Sequence, residues 1–215
     1  KVPVALDNTY AAGVLFDAFA HGVDVSMQAL TKYVGGHSDL LLGAVSVAGG
    51  SAYEAIGCAY KQLGMAVSPD DCSLALRGLQ TLGVRLDRLE KSTLTVAHWL
   101  AKHPNIVSVL HPALPSCPGH DHWRRDFTGS SSIFSVIFDS RFTADPVAAF
   151  ADRLALFRIG FSWGGVTSLV MIYPNLDRPG KDYAGRLVRL NIGLEEPSDL
   201  IDDLAHPLPV TVICR

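Results

Sequence analysis

The sequence predicts an α/β fold with a parallel component. Three observations carry this reading. Short apolar runs alternate with helical patterns at the start of the chain. The same alternation returns after His103-Pro104, and between the two lies a long run of leucines at helical spacing.

Val2–Leu6 is a short apolar run ending in Asp7-Asn8, and reads as a buried strand delivering polar groups at its C-terminal end. Ala11–Ala20 is apolar with helical spacing and stops at His21-Gly22, a C-cap signal. Val23–Gln28 reads as a second strand, followed by Thr31-Lys32-Tyr33 and a Gly35-Gly36 turn, and Leu41–Val47 as a third. Ser51 with Glu54 makes a capping-box start for a helix reaching Leu63. Ser68-Pro69 opens another, with proline at the first helical position and Asp71 favoured by the helix dipole. This pattern runs through Leu76, Leu79, Leu82, Leu86, Leu89 and Leu94 to Trp99 and stops before His103-Pro104. A helix of that length links two domains, and Gly78 and Gly83 are where it would kink. Beyond it, Ile106–Leu110, Ile133–Phe138, Thr167–Ile172 and Arg186–Ile192 read as strands. Pro146–Leu156 and Ser198–Ala205 read as helices, and Arg153–Ser162 as a helix end feeding a further strand. Cys117–Asp126, rich in polar and turn residues, reads as a surface loop.

The bulk properties narrow the function. With 215 residues, 48% hydrophobic and 18% charged, the chain can fill a core. A net charge of −3 with no basic cluster argues against nucleic-acid binding. No apolar run approaches the roughly 20 residues of a membrane span, and the first residues do not make a signal peptide. Lys1 stands where an initiator Met would be, as in a chain that begins inside a longer gene product. Cysteines at 58, 72, 117 and 214 have no CxxC spacing, so free thiols in a reducing cytoplasm are the expectation.

Asp7 and Lys32 each follow an expected strand, where open α/β sheets bind ligands. Pyridoxal 5'-phosphate (PLP) needs a lysine for its Schiff base and an acid to hold its pyridine nitrogen protonated. Read alone, either residue is more simply a solvated lysine or a helix cap. Cys117, His120 and His122 offer no clear fourth ligand, and no metal is expected. No GxSxG elbow and no Walker-type loop is present.

The motifs sharpen this. Asp7-Asn8-Thr9-Tyr10-Ala11-Ala12 and then Thr31-Lys32-Tyr33-Val34-Gly35-Gly36-His37-Ser38-Asp39 resemble the signature of the Cys/Met-metabolism PLP enzymes, the trans-sulfuration family. Arg77–Leu86, His111–Pro115, Asp126–Ser131, Ser162-Trp163-Gly164-Gly165 and Leu187–Glu195 are similar to further family segments, so the resemblance covers about residues 1–204. It implies the C-terminal part of a fold type I (aminotransferase-like) PLP-binding large domain over 1–78. A smaller α/β C-terminal domain over 79–215, entered by the long linking helix, would follow. Lys32 would carry the cofactor and shuttle protons. Asp7 would pair with the pyridine nitrogen, and Thr31 would donate to the phosphate. Arg189 would clamp the substrate α-carboxylate with its planar fork of donors. Ser162 would orient Lys32, Trp163 would border the carboxylate site, and Tyr60 would face the substrate channel.

Ser-Trp-Gly-Gly and the Asp-Asn-Thr-aromatic run resemble the β-lyase branch, whereas γ-acting members more often carry Leu at position 163. The implied reaction is α,β-elimination of cystathionine, a small sulfur amino acid, by a cytoplasmic homo-oligomer. A γ-lyase, γ-synthase or sulfhydrylase, or a truncated non-catalytic subunit, stays open. Ala29 replaces the family's usual Ser, Thr167 stands where Glu is usual, and the tail Pro207–Arg215 matches nothing in the family. The family's N-terminal half, expected before Lys1, contributes a phosphate cradle and a ring-stacking Tyr; an arm from it enters the neighbouring subunit's site.

Overall fold

The computed structural model describes residues 2–176 and 183–208; Cys214 and most of the tail lie outside them. Two sheets organise the chain. The first has the order β1-β2-β3. In it β1 (Ala5–Asp7) runs parallel to β2 (Val25–Ala29), and β2 pairs antiparallel with β3 (Gly43–Val47). Three helices follow: α1 (Gly50–Gln62), α2 (Pro69–Leu79) and α3 (Leu82–Leu100). Then come β4 (Ile106–Leu110), α4 (His120–Asp126), β5 (Ile133–Phe138), α5 (Ala144–Asp152), β6 (Arg158–Ile159), β7 (Leu169–Tyr173), β8 (Leu187–Asn191) and α6 (Pro197–Ala205). Their strands form a five-stranded sheet in the order β4-β5-β8-β7-β6. Only β6 and β7 pair in parallel in it.

The larger core lies on one face of this second sheet. Residues of β5 alternate between part-buried and buried. Phe134, Val136 and Phe138 therefore meet Val96 and Leu100 of α3, Val147 and Phe150 of α5, and Leu200 and Leu204 of α6. Arg189 sits across from Ser135 and Met171 on the neighbouring strands, on the other face. A smaller core joins Tyr33 and Val34 to Leu82, Leu86 and Leu89 of α3, with Trp163 packed against it. By contrast, α1 buries no residue. Leu41, Tyr53 and Leu63 remain 86%, 72% and 74% exposed, and Met27 and Val45 of the sheet 41% and 51%, so apolar surface of the first sheet and of α1 is left open among the described residues.

Five expectations need correction. Val2–Leu6 is not a buried strand: β1 holds only Ala5–Asp7, and Val2 and Val4 are 82% and 48% exposed. Ala11–Ala20 is a chain of turns rather than a helix. Ala12 and Gly13 both adopt left-handed φ values of 53° and 71°, which ends the 3-10 turn of Thr9–Ala11. Asn8 then captures the returning backbone, accepting from Ala11 and Gly13 and donating through its side chain to Phe16 O. Gly22 does take the left-handed φ of 81° expected of a stop signal. The capping box is not used, because Gly49 is the N-cap of α1 and no side chain caps it. Ser68, in contrast, accepts from Asp70 N–H at 3.1 Å, ahead of Pro69. Cys117–Asp126 is not all loop: α4 opens after Gly119, whose φ is 87°.

The long helical pattern breaks at Gln80–Thr81. Arg85 of α3 is the cause. Its guanidinium donates to Gly78 O at 2.8 Å, Tyr33 O at 2.6 Å and Val34 O at 3.0 Å, and Thr81 Oγ1 also donates to Gly78 O. Gly78 O thus accepts from these side chains and from Thr81 N–H at 3.2 Å in place of the amide four residues on, and the break ties α2 and α3 to the segment after Lys32.

Candidate active site

Lys32 lies in the tight turn that follows β2, where Lys32 N–H donates to Ala29 O and Gly36 N–H donates to Lys32 O. Its Nζ donates to Ser162 Oγ at 2.8 Å and lies 5.2 Å from the Trp163 ring centroid. Burial first, and the Arg189 charge second, hold its amine below the ordinary lysine value. Ser162 and Trp163 occupy the loop between β6 and β7. Gly164 takes φ 80°, and a Cβ there would stand 3.2 Å from Lys32 Cβ, so the loop crosses the lysine closely. Arg189 projects from β8 and donates to Phe161 O and Ser162 O. Its guanidinium lies over Phe161 and Tyr173, at 5.5 and 5.9 Å. Lys32, Ser162, Trp163 and Arg189 therefore form one contact cluster.

Asp7, Thr31 and Tyr60 fall in a second group. All three line an open groove of about 1130 Å³ between the first sheet and α1. Asp7 Oδ1 accepts from Thr9 N–H and from the Thr9 hydroxyl, while Thr9 Oγ1 accepts from Ala29 N–H at 2.9 Å. Buried Thr9 therefore joins the ends of β1 and β2 and orients the carboxylate. The Thr31 hydroxyl is engaged by Leu42, donating to its O at 3.3 Å and accepting from its N–H at 3.1 Å. Tyr60 is 41% exposed on α1. The groups adjoin, since Thr31 precedes Lys32.

Sequence reasoning did not single out Thr9, Tyr10 or Tyr33. Tyr10 stacks on Trp163 with ring centroids 4.4 Å apart and planes 13° apart, and Tyr33 tilts against the same ring at 5.7 Å. Together they wall the lysine with aromatic rings. The Asp-x-Thr spacing was the available signal for Thr9, as a local turn in which a carboxylate accepts from the residue two positions on. Beside Arg189, Tyr10, Trp123, Phe127, Ser131 and Ser135 border a second hollow of about 460 Å³. Among the described residues no group of three or more His, Cys, Asp or Glu side chains is placed to hold a metal ion.

A partly desolvated lysine amine set between a hydroxyl and an arginine is chemistry that suits a carbonyl group. The chain belongs to the Cys/Met metabolism PLP-dependent enzyme family, whose model matches residues 1–209. It is 44% identical over 207 residues to a cystathionine beta-lyase of Escherichia coli strain K12, covering 94% of this chain and 52% of that protein. It is also 40% identical over 211 residues to an L-alanine/L-glutamate racemase of Wolbachia pipientis, covering 95% and 51%. Among solved structures, a methionine gamma lyase from Micromonospora echinospora superposes with a TM-score of 0.87 at 33% identity, covering 96% of this chain and 55% of that one. The fold is thus that of part of a fold type I PLP enzyme. The chain spans about half the length of the curated relatives it matches. The family cofactor is PLP, and the residues present fit it: a lysine kept toward its free amine at the end of β2, and a carboxylate held by Thr9 at the end of β1.

Proposed function

We propose that the chain is the catalytic-lysine portion of a carbon–sulfur lyase that splits cystathionine by α,β-elimination. With one water, the products are homocysteine, pyruvate and ammonia. The observation that supports this most is the Lys32 Nζ–Ser162 Oγ contact of 2.8 Å beneath Arg189.

In this reading Arg189 receives the substrate α-carboxylate, with its fork already aimed by the Phe161 and Ser162 carbonyls. Lys32 Nζ, biased toward the free amine, takes the α-proton, and Ser162 keeps that nitrogen in one place. When bound, PLP supplies the sink for the electron pair left at the α-carbon. The proton on Nζ is then available to the sulfur as the Cβ–S bond breaks. Asp7 is assigned to the pyridine nitrogen, Thr31 to the phosphate, Trp163 to the edge of the carboxylate site and Tyr60 to the substrate channel. The Thr31 hydroxyl must turn from Leu42 to donate there. We place the end of the large domain at residue 78 and the small domain from 79, and take the enzyme as a cytoplasmic homo-oligomer. Among the described residues no helix is long and apolar enough to cross a membrane.

The test is an absorption spectrum of the chain with PLP, beside Lys32→Ala, followed by product analysis with cystathionine. A Schiff-base band that needs Lys32, with pyruvate and homocysteine formed together, is the expected result. Cysteine with 2-oxobutanoate would move the reading to γ-elimination, and alanine racemisation without thiol release would move it to the racemases. No Lys32-dependent band would refute the site in this chain. A second reading has one observation in its favour. The uncovered face carrying Leu41, Tyr53 and Leu63 suits a subunit that works only when another polypeptide covers it.

A further inference from the structure

A buried chain of polar groups runs behind the lysine and belongs to none of the roles above. Asn191, the last residue of β8, is 1% exposed. Its Oδ1 accepts from Ser132 Oγ at 2.9 Å and from Gly164 N–H at 2.8 Å, and its Nδ2 donates to Thr167 O at 3.0 Å. Ser132, fully buried, gives its backbone N–H to Tyr33 Oη at 3.1 Å, and its hydroxyl lies 3.1 Å from the same oxygen. A serine hydroxyl has one hydrogen, and here Asn191 takes it. The Tyr33 hydroxyl, which accepts from Ser132 N–H, then has its own hydrogen to give to Ser132 Oγ or to the neighbouring Ser131 hydroxyl. Burial pushes the Tyr33 phenol up, which keeps that donor protonated.

Asn191 Oδ1 therefore accepts from two sides. From one side comes Tyr33, the neighbour of Lys32. From the other comes Gly164, two residues after Ser162. At its φ of 80° Gly164 is close enough for a Cβ to stand 3.2 Å from both Lys32 Cβ and Tyr33 N. The 162–164 turn has its backbone pinned to Asn191 while the lysine loop reaches the same amide through Tyr33 and Ser132. An aspartate at 191 could not donate to Thr167 and would bury a charge. A leucine would leave Gly164 N–H and the Ser132 hydroxyl without an acceptor.

We propose that Asn191 is a positioning residue: through Gly164 on one side and Ser132–Tyr33 on the other, it sets where Ser162 and Trp163 sit over Lys32. The inference rests on Lys32 being the functional amine of this site, and its test needs no cofactor. Lys32 is shielded by the turn that carries Trp163, with Arg189 of β8 adding its charge. Releasing the turn should expose the amine.

The experiment is competitive acetylation of the full chain with acetic anhydride across a pH series, read by mass spectrometry on the Lys32 peptide with exposed Lys91 as internal reference. In the unaltered chain Lys32 should label with a midpoint below the ordinary lysine value. In Asn191→Ala that midpoint should rise by about half a pH unit or more, a roughly threefold change in free-amine fraction. A merely structural loss would lower the melting temperature and leave the Lys32 midpoint where it was. That result, in a variant that still melts cooperatively, overturns the proposal. Should Asn191→Ala fail to fold, Tyr33→Phe, which removes only the hydroxyl at the head of the chain, carries the test, and an unmoved midpoint there overturns it equally. A midpoint that shifts in a chain that never takes up PLP keeps the positioning role and refutes the cofactor site; a PLP-binding chain with an unmoved midpoint does the reverse.

Discussion

Gly78→Ala isolates one close approach on which the lysine loop depends. A Cβ on Gly78 would stand 2.1 Å from Val34 O and 2.9 Å from Gly35 O, both backbone atoms. Unstrained carbon–oxygen contacts begin near 3.3 Å, so α2 and the 34–35 backbone would have to part by about 1 Å. Arg85 spans that same gap, with bonds of 3.0 Å to Val34 O and 2.8 Å to Gly78 O. Separation by that amount costs it at least one of them. Overpacking costs about 1–3 kcal/mol and a lost bond to a charged group about 1.5–3, against about 1 returned by alanine's helix propensity. The net expectation is destabilisation of roughly 1.5–5 kcal/mol, read as a lower urea midpoint at unchanged slope. Gly57 in α1 and Gly83 in α3 have nothing within 4 Å of a built Cβ. Alanine at either should stabilise by about 0.5–1 kcal/mol. If Gly78→Ala falls within 0.5 kcal/mol or so of Gly83→Ala, the close approach has no energetic weight and the argument fails.

Two further outcomes are expected. His111 is fully buried, and burial, against a smaller opposing pull from the Ser131 backbone, lowers its pKa from 6.5 to about 4. Between those values the unfolded chain binds a proton that the folded chain refuses, so stability falls as the pH falls through that window, by about 3 kcal/mol in all. His111→Asn, whose side-chain oxygen can replace Nδ1 as acceptor for Ala113 N–H, should flatten that slope, and equal slopes for the two chains in pH-dependent urea melts would contradict the assignment. The uncovered apolar face predicts self-association of the isolated chain. Tyr53→Glu with Leu63→Lys should reduce light scattering with little change in stability, and an unaltered chain that is already a monodisperse monomer would refute the prediction.

What the sequence made legible is what local pattern controls. Ile133–Phe138 is legible as an apolar run, and its bounds agree residue for residue with the reading; its burial alternates because one face of β5 meets three helices. Ser68-Pro69 marks the start of α2 because the cap is made two residues away. Ala11–Ala20 has helical spacing yet turns, because Ala12 and Gly13 go left-handed and Asn8 captures the backbone. In the leucine run of 76–94 the two glycines bracket the break between α2 and α3 without fixing its place or making it a full interruption, since the contacts of Arg85 there reach Tyr33 and Val34, which lie 52 and 51 residues away in sequence. The site shows the same division. Lys32, Ser162 and Arg189 are singled out through motifs, whereas Ser132 falls outside every expected element and Asn191 has no role in its motif until the fold sets them between Tyr33 and Gly164.

The separation of the candidate site into a contact cluster and an open groove says which part of the chemistry these residues carry. Lys32, Ser162, Trp163 and Arg189 have the partners that orient them within the chain, drawn from both sheets and fixed by Arg85 and Asn191. That is the half that would hold a carboxylate and move a proton. Asp7 is aimed by Thr9, but it shares with Thr31 and Tyr60 a groove between the first sheet and α1 that stays open to solvent. Water reaches those groups, and an ion pair or phosphate contact formed there is screened, whereas the same contact in a covered site would be strong. PLP affinity should therefore be the property most sensitive to a covering polypeptide, while the Lys32 labelling midpoint should change little. A cover that moved the lysine midpoint as much as the PLP affinity would mean the cluster is not complete within this chain.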